Sequence, residues 1–218
     1  MASKPKYSEA GVLEQYRIAL DNAESQPKIA AIMAELGYDA AAISEGRAIL
    51  NETRQAYELN QTEDDERTAA YADFSSKKEQ LEDVFSMHRK KAKVIFRKDP
   101  VTAEELAVSG AKPRAYMRWL EAVKKYYGIA STDSLIQGKL ARLKISVDDL
   151  NAAKAMISDI EVARSNYLRE KGESQDATKI KDAAFAKIDD WMSEFYAVAK
   201  IGLDENPQLL EALGKMVR

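Results

Sequence analysis

The chain has 218 residues, no cysteine, and 33 Lys+Arg against 36 Asp+Glu, for a formal net charge of −3. The lack of cysteine excludes disulfide frameworks, cysteine zinc sites and thiol nucleophiles. The slight acidic excess argues against a dedicated nucleic-acid binder, which carries a basic excess. Hydrophobic residues at 45% are enough for a core, and charged residues at 32% with only 9 Gly and 5 Pro suit a surface-rich helical protein. The charge is spread unevenly but not extremely. Residues 1–110 hold 15 Lys+Arg and 20 Asp+Glu, and residues 111–218 hold 18 and 16.

Helix punctuation is readable along the chain. Tyr7-Ser8 opens a first helix with Val12, Leu13, Tyr16, Ala19 and Leu20 at three-to-four spacing. Pro27 suits the first turn of a second helix, which Gly37 stops. Asp39 caps a third, expected to end near Asn60. Thr62, followed by the acids 63–66, then reads as a new N-terminus, and the helix behind it runs over 63–98. Pro100 disfavours helical geometry at Asp99, so that helix ends there and a short one follows over 102–110.

After Gly110 the pattern restarts, with helices expected over 113–127, 131–143 and from Ser146, a break near Gly172, a long helix over 175–203 and a short closing helix after Asn206-Pro207. Several markers recur at a spacing that drifts from about 103 to 111 residues, among them Tyr57 with Tyr167, Phe74 with Phe185, and Asp99-Pro100 with Asn206-Pro207. This predicts an internal duplication. The expected fold is all-α, as two tandem related antiparallel helical bundles over 1–110 and 111–218, or one continuous helical domain. Each bundle would be a long helix hairpin with short flanking helices.

The most distinctive stretch is Arg89–Lys98, with six Lys or Arg in ten residues beside the single histidine, His88. On a helical wheel Leu81, Val84, Phe85, Ala92, Ile95 and Phe96 share the side of His88, and Arg89, Lys90, Lys93 and Arg97 fall mostly opposite. The plain reading is the charged end of an amphipathic helix, where cations suit the negative end of the dipole. The functional reading is a cationic patch for an anion or nucleic acid. The corresponding end of the second half lacks the run, so a helical scaffold does not require it. No aromatics interleave with these cations, which weakens a base-stacking role.

One histidine cannot supply the two Glu-x-x-His motifs of a di-iron bundle, and no His–His or His–Cys pair exists for zinc. No cofactor, metal or catalytic group is expected. The acids 63–66 lack the alternating ligands and central glycine of a calcium loop, and Asp189-Asp190 point about 100° apart on a helix. Trp119, Tyr126, Trp191 and Phe195 read first as core and second as a groove for a ligand or partner.

The leading expectation is a non-enzymatic interaction or scaffold protein that binds another protein or itself. It rests on a length mismatch, since a helix over 63–98 would be about 54 Å long against about 32 Å for its partner over 40–60. The alternatives are anion or nucleic-acid binding through Arg89, Lys90, Lys93 and Arg97, and an enzyme or ligand pocket among the aromatics. With no apolar leader and no run approaching the roughly 18 apolar residues of a membrane span, the expected setting is cytoplasmic.

Overall fold

A computed structural model describes residues 7–214. Among them there is no strand. The helices are α1 (Glu9–Ser25), α2 (Pro27–Glu35), α3 (Ala40–Ile95), α4 (Pro100–Glu105), α5 (Tyr116–Ala130), α6 (Ser134–Ala141), α7 (Val147–Gly202) and α8 (Leu209–Ala212). The all-α class is as expected, and the caps fall largely where the sequence places them. Ser8 Oγ accepts from the Gly11 N–H at 3.2 Å, and Asp39 Oδ1 accepts from the Ala41 and Ala42 N–H groups at 3.0 Å each. Asp99 accepts from Thr102, with Pro100 as the first helical residue. Ser146 and Asp149 cap each other reciprocally.

Two expected breaks do not form. Residues 60–63 lie inside α3, and Gly172 lies inside α7. No proline interrupts either stretch, so nothing there removes a backbone donor. Thr62 does not cap a new helix; its hydroxyl donates to the Glu58 carbonyl one turn back, at 3.2 Å. The two long helices are therefore 56 residues each. The length mismatch disappears, and with it the argument for self-association.

Packing divides the chain differently from its sequence order. One compact unit comprises residues 1–64 and 173–218, and the other comprises 65–172. The expected division at 110/111 falls within the second of these. In the first unit, α1, α2 and α8 pack with the start of α3 and the end of α7 around Leu13, Leu20, Ile29, Met33, Ile188, Met192 and Phe195. Within it α3 and α7 run antiparallel. Asn60 donates to Thr178 and Ser174 to Asp64, while buried Thr53 donates to the carbonyls of Ile49 and Ala184. Gly46 is required here, since an added Cβ would stand 2.5 Å from the Trp191 ring.

In the second unit, α4, α5 and α6 pack with the rest of α3 and the start of α7 around Leu81, Phe85, Phe96, Trp119, Tyr126, Tyr127 and Ile160. Each of these buried side chains contributes about 1.5–3 kcal/mol of transfer free energy. Aromatic geometry adds to this, with Tyr126 and Tyr127 edge-to-face at 4.9 Å and Phe85 against Tyr126 at 5.7 Å.

The elements recur at a constant spacing. α1, α2 and α3 start at 9, 27 and 40, and α5, α6 and α7 start 107 positions later, at 116, 134 and 147. Left-handed backbone recurs in the same register, at Gly37 and Lys144 and again at Ala107 and Gly214.

Candidate functional site

The last turns of α3 present two faces. Phe85, His88, Ala92 and Phe96 point into the core of the second unit and are buried. Ser86, Arg89, Lys90 and Lys93 line a cleft of about 200 Å³, which Lys112 completes from the segment before α5. Arg89 and Lys93 also reach the turn after α4, where Gly110 adopts a positive φ of 63° that suits a residue without a Cβ. The turn's carbonyls face the cations. The Arg89 guanidinium donates to the Ser109 and Gly110 carbonyls at 3.0 and 3.2 Å, and Lys93 Nζ donates to Gly110 at 2.6 Å. Lys112 pairs with Glu82 and also donates to Ser86 Oγ at 2.9 Å.

The electrostatics of Arg89 stand out. It is only 7% exposed, its Nε has no hydrogen-bond partner, and the acceptors it does reach are neutral carbonyls. Burial pulls its guanidinium below the ordinary arginine value with no acid opposing the shift. A buried cation is normally offset by a carboxylate, and none lines this cleft. Arg89, Lys90 and Lys93 thus line one cleft, while Arg97 is exposed and lies outside the cleft lining. Ser86 and Lys112 were not legible as members. Lys112 sits beyond the helix, and only the fold of the 106–115 segment brings it back.

His88 lies on the core-facing side of α3 and is buried. Its Nδ1 lies 3.0 Å from the Tyr127 hydroxyl. Burial pulls the imidazole below its ordinary 6.5; the Asp149 carboxylate opposes this and Lys91 reinforces it. With the folded value depressed, the unfolded chain takes up the proton first. The contribution to stability is therefore complete above pH 6.5 and is lost as pH falls from there towards the folded value. Denaturant midpoints measured across this interval are expected to drop more steeply in the wild type than in His88→Gln. Equal slopes would contradict the burial of a neutral ring.

The expected aromatic groove does not assemble. Trp119 and Tyr126 are buried in the core of the second unit, while Phe195 and the partly buried Trp191 belong to the core of the first. A different set is accessible in the second unit. Tyr71, Phe74, Ser75 and Lys78 of α3, Tyr116 of α5, and Arg164, Tyr167 and Leu168 of α7 line a groove of about 370 Å³. The expected hairpins hide this set, because they pair residues 63–98 with 40–60 and so do not bring Tyr71 and Phe74 beside Tyr167.

Comparison with protein-family models, curated proteins and solved structures finds no match to this chain. Among the described residues, no helix is long and apolar enough to cross a membrane.

Proposed function

We propose that this chain is a non-enzymatic binding protein on an internally duplicated helical scaffold. Its second unit holds an anionic group of the phosphate class among Ser86, Arg89, Lys90, Lys93 and Lys112. The observation that carries this reading is Arg89, a buried guanidinium without a carboxylate and with an unpartnered Nε, in a cleft lined by three lysines. A phosphate oxygen supplies the missing acceptor, and charge-assisted bonds of that kind are about twice as strong as neutral ones. The cleft lining provides donors and positive charge and no group that takes up a proton at neutral pH. That suits holding an anion rather than transforming it.

The constant 107-residue spacing of helix starts and left-handed turns supports the duplication. It also supports a functional role for the cations. At the matching positions of the other long helix stand Tyr196, Ala197, Lys200 and Asp204 in place of Arg89, Lys90, Lys93 and Arg97. A helix in the same place in the scaffold thus does without the cluster.

The test is calorimetric titration of the full chain with inorganic polyphosphate at low salt. Lys90→Glu/Lys93→Glu is expected to weaken binding on the order of 10- to 100-fold with helicity unchanged. Arg97→Glu/Lys98→Glu, a matched change of charge outside the cleft, should weaken it far less. Equal losses in the two variants, or no binding by the wild type, would refute the proposal.

A further inference from the structure

We infer that the ligand of this face is a single-stranded nucleic acid whose bases stack in the aromatic groove and whose phosphates run to the cationic cleft. The inference rests on the anion-binding reading of the cleft and assigns the ligand class. Tyr71, Lys78, Ser86, Arg89 and Lys93 follow one another on α3 at intervals of seven, eight, three and four residues. Such intervals keep them on one side of the helix. The groove and the cleft therefore share one helical face, about 33 Å long from Tyr71 to Lys93 at 1.5 Å per residue.

The groove has the parts that sequence-tolerant binding of single strands uses, aromatic faces beside positive charge. Tyr71 is 53% exposed and packs against Tyr167 with ring centroids 5.2 Å apart. Tyr167 lies parallel to Phe74, and Phe74 meets Tyr116 edge-on at 5.6 Å. Arg164 sits over the Tyr116 ring at 4.6 Å, and Lys78 over Trp119 at 5.3 Å. No carboxylate lines the groove, so its charge complements a phosphate backbone. The Tyr116 hydroxyl is shielded from solvent and has no hydrogen-bond partner.

The scaffold does not demand this set either. At the positions 107 residues from Phe74 and Tyr116 stand Lys181 and Glu9, which form an ion pair at 2.7 Å. A charged pair there fills the place of an aromatic one here.

The experiment compares three probes on the full chain: a fluorescein-labelled oligothymidylate, the same backbone without bases, and inorganic polyphosphate. The oligothymidylate is expected to bind more tightly than the abasic strand, with affinity falling steeply as salt rises. Tyr71→Ala should weaken oligothymidylate binding by about 5- to 150-fold, the range for loss of one stacked base, and leave polyphosphate binding unchanged. Tyr71→Leu, which keeps apolar area without an aromatic face, should lose nearly as much. Lys90→Glu/Lys93→Glu should weaken all three probes.

Equal binding of the oligothymidylate and the abasic strand, or no effect of either Tyr71 variant, would overturn the nucleic-acid assignment and leave the anion cleft standing. Binding to phosphatidylserine vesicles without binding to oligothymidylate would overturn it in favour of a lipid surface. Failure of polyphosphate and oligothymidylate alike would sink both readings.

Discussion

Replacing Glu63 with proline is expected to lower stability by about 3 kcal/mol or more, read as a shift in the urea midpoint with Glu63→Ala as the reference. Glu63 lies well inside α3, more than six turns from its start at Ala40. A proline there removes a helical donor and drives its ring into the carbonyl one turn back. If a new helix began after Thr62, residue 63 would be the first helical position, where proline is tolerated because its missing N–H would be unpaired anyway. The same substitution would then cost almost nothing. Gly172→Ala is the companion test, with the opposite sign. Gly172 lies inside α7, its φ is not positive, and an added Cβ would meet nothing within 4 Å. Alanine should raise stability by about 0.5–1 kcal/mol. A glycine closing a helix in the left-handed region would instead make that change destabilising. A neutral Glu63→Pro together with a harmful Gly172→Ala would restore a hairpin inside each half of the chain.

This choice between a hairpin and a through-running helix is where sequence reading and structure part. Helix identity was legible from caps and prolines, because Ser8, Asp39, Asp99 and Ser146 act through local hydrogen bonds that need no tertiary context. The acids at 63–66 and the polar stretch around Gly172 carry the composition of helix ends but no obligatory stop. In both places the helix continues, and polar side chains nearby pair between α3 and α7 within the first unit, Asn60 with Thr178 and Ser174 with Asp64. Local composition could not distinguish that arrangement from a turn.

The sequence markers of the proposed repeat drift in register. Tyr57 and Tyr167 look alike 110 residues apart, whereas the helices recur at 107, the spacing of Asp99-Pro100 and Asn206-Pro207. Aromatic residues are interchangeable within a core, so they mark register poorly. Helix starts and left-handed turns mark the 107-residue register in the backbone, but with different residues in the two places, Gly37 against Lys144 and Ala107 against Gly214, so the sequence did not show it. The site was half legible for a similar reason. The wheel grouped Arg89 with Lys90 and Lys93, but it could not show that Arg89 is buried against the 109–110 turn, or that Lys112 faces it.

Phe85→Ala is expected to cost about 3–5 kcal/mol, the second large effect. Phe85 is fully buried in the second unit and meets Tyr126 and Tyr127 at ring distances of 5.7 and 6.2 Å. Truncation forfeits both the transfer free energy and the contacts around the cavity left behind. Phe85→Leu should cost less, because it refills most of that volume. The chain has one tryptophan in each core, so a Trp191→Phe background leaves Trp119 as the reporter of the second unit. The unfolding midpoint seen by Trp119 fluorescence should fall by the full amount in Phe85→Ala. A loss under about 1 kcal/mol would mean that the ring is not in a close-packed core. The same variant separates support from contact at the cleft. Phe85 faces inward one residue before Ser86 faces outward, so the folded fraction of Phe85→Ala should bind polyphosphate with unchanged affinity. Weaker binding by the folded fraction would show instead that the packing of Phe85 sets the position of Ser86, Arg89 and Lys93.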